Sequence, residues 1–184
     1  MARPTKDLDL LGFGPLDDEE LRSVVHRVCS VEVEAPDGLE FQPGELKLAP
    51  IRTQEEYGGT RIHLPFHLEQ AHDRIQIDVG FGDAIYPPAV DVFYPTLVDL
   101  PRPHIQAYRR ETVIAEKTEA VVKLGASNSR MKDFFDLWAM AGAAGFDGGE
   151  LVRALRRTFE RRGTDWPDGE PVGLQPAFFQ DPVH

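Results

Sequence analysis

Apolar and polar residues alternate from Thr5 to Leu11, with Asp7 and Asp9 on one side and Leu8 and Leu10 on the other, which is the period of a strand. The pattern predicts a leucine face that packs on a core. Its aspartate face then holds two carboxylates about 7 Å apart, from a rise of roughly 3.3 Å per residue. Gly12-Phe13-Gly14-Pro15 breaks the strand. Leu21, Val24, Val25 and Val28 then recur at helical spacing and predict an amphipathic helix over 18–30. Asp17 or Asp18 can cap it, and the run Asp17-Asp18-Glu19-Glu20 suits its positive end. His26 and Cys29 in this helix read as structural. Residues 31–70 read as strands joined by turns at Pro36-Asp37-Gly38, Pro43-Gly44 and Gly58-Gly59. Leu46, Leu48 and Ile51 point inward in one run, and Ile62, Leu64, Phe66 and Leu68 share the core face of the next, opposite His63 and His67. In the strand after that, Ile75, Ile77 and Val79 face the core, so Gln76 and Asp78 occupy the other face. Gly80 and Gly82 suggest a kink or a close backbone approach just past it, and Asp83 a cap or turn.

The prolines at 87, 88, 95, 101 and 103 make the next stretch too proline-dense for a helix and too apolar for a disordered linker. Extended chain lying on the sheet, or bordering a helical part, is expected there. From Glu111 the period is helical: Val113, Ile114, Ala120, Val121 and Leu124 form a stripe that includes Lys117, and Gly125 ends it. A second helix is expected over 129–142, with Phe134, Leu137, Trp138 and Ala141 as its stripe. Arg130 projects along that stripe, Asp133 flanks it, and Asp136 lies nearly on the far side. A third helix, capped by Asp147, carries Leu151, Val152, Leu155 and Phe159 on one side. Arg153, Arg156, Arg157, Arg161 and Arg162 crowd its other faces, either as a solvated basic face or as a contact for an RNA backbone. The prolines at 167, 171, 176 and 182 predict a loosely ordered tail. The expected organisation is α+β: a mixed sheet region with flanking helices over 1–104, a helical region over 105–165 and a proline-rich tail over 166–184.

Composition narrows this picture. A chain of 184 residues has room for one sizeable core and a small appended lobe. A formal charge of −11 argues against a broad basic face for nucleic acid. Cys29 is the only cysteine, which excludes disulfides and cysteine-rich zinc sites. The chain shows no HExxH spacing, no signal peptide and no long apolar run, so the cytoplasm is the expected location.

Candidate chemistry follows from the acidic strand face. Two carboxylates so close repel unless a cation lies between them, and hard divalent ions are held by carboxylates together with substrate phosphates. Asp78 adds a third carboxylate if its strand neighbours the first, as a two-metal cradle requires. The alternative is a solvated edge strand with surface aspartates. His63 and His67 could bind a metal, although surface histidines are the plainer reading. Lys117, on the packed face of its helix, either snorkels to water or holds an anion.

Four segments then occur in order: Thr5-Lys6-Asp7-Leu8-Asp9-Leu10-Leu11, Ile77-Asp78-Val79-Gly80-Phe81-Gly82-Asp83, Ala115-Glu116-Lys117-Thr118-Glu119-Ala120 and Arg130-Met131-Lys132-Asp133-Phe134-Phe135-Asp136-Leu137-Trp138. In these the chain resembles the AbiEii/AbiGii toxin-type nucleotidyltransferases over roughly residues 3–142. The resemblance implies a polymerase-β-like nucleotidyltransferase fold and Mg²⁺-dependent transfer of a nucleotide from a nucleoside triphosphate to RNA, such as tRNA, or to protein. It further implies the role of toxin in a toxin–antitoxin or phage-defence pair, with an antitoxin as partner. On that likeness Asp7, Asp9 and Asp78 hold two Mg²⁺ ions, Lys117 and Arg130 meet the nucleotide, and Asp133 completes the catalytic set. The alternative is a degenerate member that binds nucleotide or an antitoxin without catalysis. One departure is visible: family members carry a glycine-rich phosphate-cradling segment ahead of the paired aspartates. Met1 stands only six residues before Asp7, so a chain without that cradle is expected.

Overall fold

The three-residue spacing of Asp17 and Glu20 builds a capped helix start. Asp17 Oδ1 accepts from the Glu20 amide at 2.8 Å, and Glu20 Oε2 accepts from the Asp17 amide at 3.1 Å. This reciprocal capping box satisfies two orphan donors and opens helix α1 (Asp18–Cys29). Asp17→Ala is expected to cost about 1 kcal/mol of stability, read as a lower denaturant midpoint with an unchanged slope.

The computed structural model describes residues 7–14, 17–33, 37–51, 59–82, 85–96, 99, 101–142, 145 and 147–180. The expectations for Thr5, Lys6, Pro36, Gly58, Asp83 and Pro182 lie outside them. The chain divides into two compact units, residues 1–83 and 84–184, so the stretch 84–104, expected with the sheet region, groups with the helices. The family's expected α+β character is present, with a mixed sheet and helices.

In the first unit, β1 (Asp7–Gly12) runs parallel to β5 (Ala71–Phe81), and β5 pairs antiparallel with β4 (Gly59–Leu68). The short strands β2 (Leu39–Phe41) and β3 (Lys47–Pro50) both pair antiparallel with β4. Strand alternation sends Ile62, Leu64 and Val79 to one face, where they bury against Leu21 and Val25 of α1 and against Leu46. Arg22 ties the helix down by donating to the Leu46 carbonyl at 3.0 Å. The expected burial of the leucine face fails at the edge strand: Leu8 and Leu10 remain about half exposed, at 51% and 47%. They share a face with Ile77 and Val79 across the β1–β5 ladder, but belong to no part of the buried cluster. The close approach expected at Gly80 occurs instead at its cross-strand partner Gly59. A Cβ there would come within 2.8 Å of Ile51 and 2.9 Å of the Val79 carbonyl, while Gly80 has open space.

In the second unit the proline-rich stretch is extended, and it pairs with itself. Strands β6 (Val90–Phe93) and β7 (His104–Ala107) form a separate two-stranded antiparallel sheet. Helix α2 (Arg110–Leu124) is buried on more than one side, through Thr112, Ile114, Ala115, Glu119, Ala120 and Val121, and packs against the next two helices. It ends at Gly125, whose φ of 50° suits glycine. Helix α3 (Met131–Ala141) uses Phe134 against Phe178 at 5.4 Å between ring centroids. Trp138, expected in the packed stripe of α3, is 70% exposed instead. Asp147 caps α4 (Gly148–Arg161) by accepting from the Glu150 amide at 2.9 Å.

The tail differs from the loosely ordered chain that its prolines predict. Val172–Leu174 forms a 3-10 turn and Pro176–Gln180 a short helix, α5, with Phe178 buried. Proline at the first helical position is compatible with a helix start, and the aromatic pairs supply the packing that composition cannot reveal.

Candidate active site

Strand register places polar residues in two rungs across the first sheet. One rung aligns Asp9 of β1, Asp78 of β5, Arg61 of β4 and Ala49 of β3; the next aligns Asp7, Gln76, His63 and Lys47. Directly opposed residues of neighbouring strands lie on the same face. The condition set by the sequence is therefore met: the Asp78 strand neighbours the Asp7–Asp9 strand, and Asp9 faces Asp78 directly.

Arg61 is the participant that sequence reasoning missed. Its Nε donates to Asp78 Oδ1 at 2.8 Å and its Nη2 to Asp78 Oδ2 at 2.7 Å, a two-pronged ion pair. Such forks add geometric specificity to charge. The guanidinium is held more firmly protonated than usual, first by this hydrogen bond, with further help from the charges of Asp78, Asp7 and Asp9. One cation thus pairs with Asp78 and also feels the charges of Asp7 and Asp9. Gln76 Nε2 adds a long 3.5 Å contact to Asp78 Oδ2. The alternation of Arg61 with Ile62 and Leu64 is the signal that could have placed Arg61 on the polar face beside His63; only the register could name its partner.

In the second unit, α2 and α3 build a buried charge cluster. Lys117 Nζ lies 2.7 Å from Asp133 Oδ1 and 3.0 Å from Asp136 Oδ2, and Asp133 is only 1% exposed. Lys117 thus takes the second of its two expected courses and holds an anion. Arg130 Nε stands 2.8 Å from Asp133 Oδ2, close enough for an ion pair but not aligned as a hydrogen bond. Asp136, expected nearly on the far side of α3, instead joins Lys117. Neighbouring Asn128 is fully buried, with its Oδ1 accepting from the Arg130 amide at 2.9 Å.

Other candidates separate from these clusters. His67 packs edge-on against His72 at 4.3 Å between centroids, a ring contact across β4 and β5. Burial pushes the Cys29 thiol up, which disfavours the reactive thiolate and agrees with its structural reading. Just past the end of α4, Arg162 turns inward to the fully buried Glu119, 2.9 Å away, contrary to its expected place on an outer face. Arg157 stacks 4.1 Å above the Tyr86 ring, and Arg153 pairs with Glu150 and the Tyr86 hydroxyl. Arg153, Arg156, Arg157 and Arg161 are exposed.

The carboxylate oxygens of Asp7, Asp9 and Asp78 are the hard donors that Mg²⁺ prefers, and the strand pairing brings them to one face. Among the described residues no group of three His, Cys, Asp or Glu side chains converges closely enough to hold an ion as it stands. Both oxygens of Asp78 are turned to Arg61 instead. In donor chemistry the three carboxylates suit a divalent cation; their placement in this structure does not converge on one.

No curated protein and no solved structure matches the chain. The family model described as the nucleotidyl transferase AbiEii toxin of type IV toxin–antitoxin systems matches residues 1–184, and the chain belongs to that family.

Proposed function

We propose that the protein transfers a nucleotide from a nucleoside triphosphate to a hydroxyl of RNA, with tRNA the first acceptor to test, or of a protein. In this reading it acts in the cytoplasm as the toxin of a toxin–antitoxin or phage-defence pair, with a cognate antitoxin as partner. The observation that carries the proposal is the opposition of Asp9 and Asp78, with Asp7 on the same sheet face, in a chain of this family. Among the described residues no helix is long and apolar enough to cross a membrane.

Asp7, Asp9 and Asp78 would hold two Mg²⁺ ions. When bound, such ions supply charge neutralisation for the attacking and leaving oxygens of an in-line displacement. The acceptor oxygen forms a bond to the α-phosphorus as the bond to pyrophosphate breaks, and most of the catalytic effect comes from positioning and charge. Lys117 and Arg130 are the cations proposed to meet the triphosphate, exchanging aspartate partners for phosphate oxygens. Before the nucleotide arrives, Asp133 holds the lysine head in place.

A second reading, a non-catalytic member that binds nucleotide or an antitoxin, draws on the Arg61 fork, which satisfies Asp78 with no ion. The two separate when the protein is incubated with each labelled nucleoside triphosphate, Mg²⁺, total RNA and lysate protein. Label appearing in RNA or in a protein band, and lost on chelation, is the expected result. No label in either fraction, while nucleotide still binds, would favour the non-catalytic member.

A further inference from the structure

We infer that Arg61 is the built-in counter-ion of the metal-free site and competes with the divalent cation for Asp78. The inference rests on the proposed role of Asp7, Asp9 and Asp78 as metal ligands, and it assigns a further residue to that site. The motif that carries Asp78 does not include Arg61, which sits 17 positions away in the chain and reaches Asp78 only because β4 and β5 pair in register.

Asp9 and Asp78 stand directly opposite each other, and like charges so placed destabilise a sheet. The guanidinium offsets this by taking both oxygens of Asp78, at 2.8 and 2.7 Å, and it also feels the charges of Asp7 and Asp9. A cation that needs an oxygen of Asp78 at roughly 2.0–2.6 Å meets an oxygen already turned to a hydrogen-bond donor. The full fork occupies one lone pair on each oxygen and so competes with a metal for Asp78.

The pair is also placed to open. The Arg61 side chain is 39% exposed while that of Asp78 is 15% exposed, so the arginine can swing into water on its long stem while the carboxylate stays in the sheet. Gln76 is neutral and only 3.5 Å from Asp78, and cannot serve as counter-ion.

Calorimetry with Mn²⁺ alone, without nucleotide, tests the inference on the full chain, using wild type, Arg61→Gln, Arg61→Lys and Asp9→Asn. Arg61→Gln should bind Mn²⁺ about tenfold more tightly, equivalent to about 1.4 kcal/mol. Arg61→Lys keeps the positive charge but loses the rigid fork, so it should bind several-fold more tightly than wild type. That variant separates competition from plain charge repulsion, and it carries the test if Arg61→Gln does not fold. Wild-type affinity in Arg61→Lys, or unchanged or weaker binding in Arg61→Gln, would overturn the counter-ion role while leaving the metal site intact. Binding that Asp9→Asn does not weaken, or no binding by any variant, would overturn the metal site itself and this inference with it. A melting temperature that Mn²⁺ raises more in Arg61→Gln than in wild type is the second expected readout, and equal increments count against the inference.

Discussion

Asp9→Asn and Asp78→Asn are each expected to abolish nucleotide transfer, yet to move the metal-free melting temperature in opposite directions. Transfer is lost because either change removes an anionic oxygen from the proposed ion site. Stability diverges because the two aspartates have different partners. Asp9 is exposed and faces Asp78 across the parallel ladder, so neutralising it removes a like-charge contact. An unchanged or slightly higher melting temperature is expected, corresponding to a gain of about 0.5 kcal/mol or less. Asp78 accepts both prongs of Arg61, and its loss leaves the guanidinium unpaired.

A hydrogen bond to a charged group contributes about 1.5–3 kcal/mol. Arg61 is 39% exposed, and water screens such pairs, which brings the expected loss to about 1–2 kcal/mol. Repulsion alone, all that the strand pattern reveals, predicts relief in both variants. Thermal unfolding in chelating buffer, beside the labelled-nucleotide assay, decides the point. An Asp78→Asn protein as stable as wild type would show that the fork contributes nothing to the metal-free state.

Lys117→Met is expected to weaken both folding and nucleotide binding. From the helical stripe alone, a methionine should keep the apolar stem and fold almost normally. The cluster on α2 and α3 changes that expectation. Asp133 is 1% exposed and takes its hydrogen bond from Lys117 at 2.7 Å, whereas Arg130 is close but poorly aligned. Removing one partner of a buried pair costs about 3–5 kcal/mol, because the other charge is left uncompensated.

Two features place Lys117→Met near the low end of that range, at about 3 kcal/mol. Arg130 still supplies charge, and Asp136, at 21% exposure, can turn to water. The double variant Lys117→Met/Asp133→Asn should recover much of the loss, since the stranded charge is gone, while nucleotide affinity stays low in both. Denaturant unfolding gives the stabilities and calorimetry the affinities. Full stability in Lys117→Met would contradict the cluster as a folding element. Unchanged nucleotide affinity would remove Lys117 from the triphosphate.

Local spacing carried a large part of this protein. The capping box at Asp17 and Glu20, the stop at Gly125, the cap at Asp147 and the core faces of β4 and β5 are each written within a few neighbouring residues. Alternation also assigned Asp7, Asp9 and Asp78 to polar strand faces, and four ordered motifs carried the family. Tertiary structure decided what those faces meet. Period-two alternation states the side of a strand, never its neighbour or register. Only the pairing of β1 with β5 and of β5 with β4 joined Asp9, Asp78 and Arg61 in one rung. The same limit explains Leu8 and Leu10, apolar in pattern yet half exposed on an edge strand that the buried cluster does not reach. It explains Asp136 too, whose angle on α3 placed it away from the apolar stripe while Lys117 of α2 approached from that side. Phe178 follows the same rule: its prolines describe a loose tail, and its burial depends on Phe134, more than forty positions earlier. The sequence by itself determined most of the elements, the caps, the polar faces and the family. Partners were settled by long-range register and packing, because those contact energies arise only when distant segments meet.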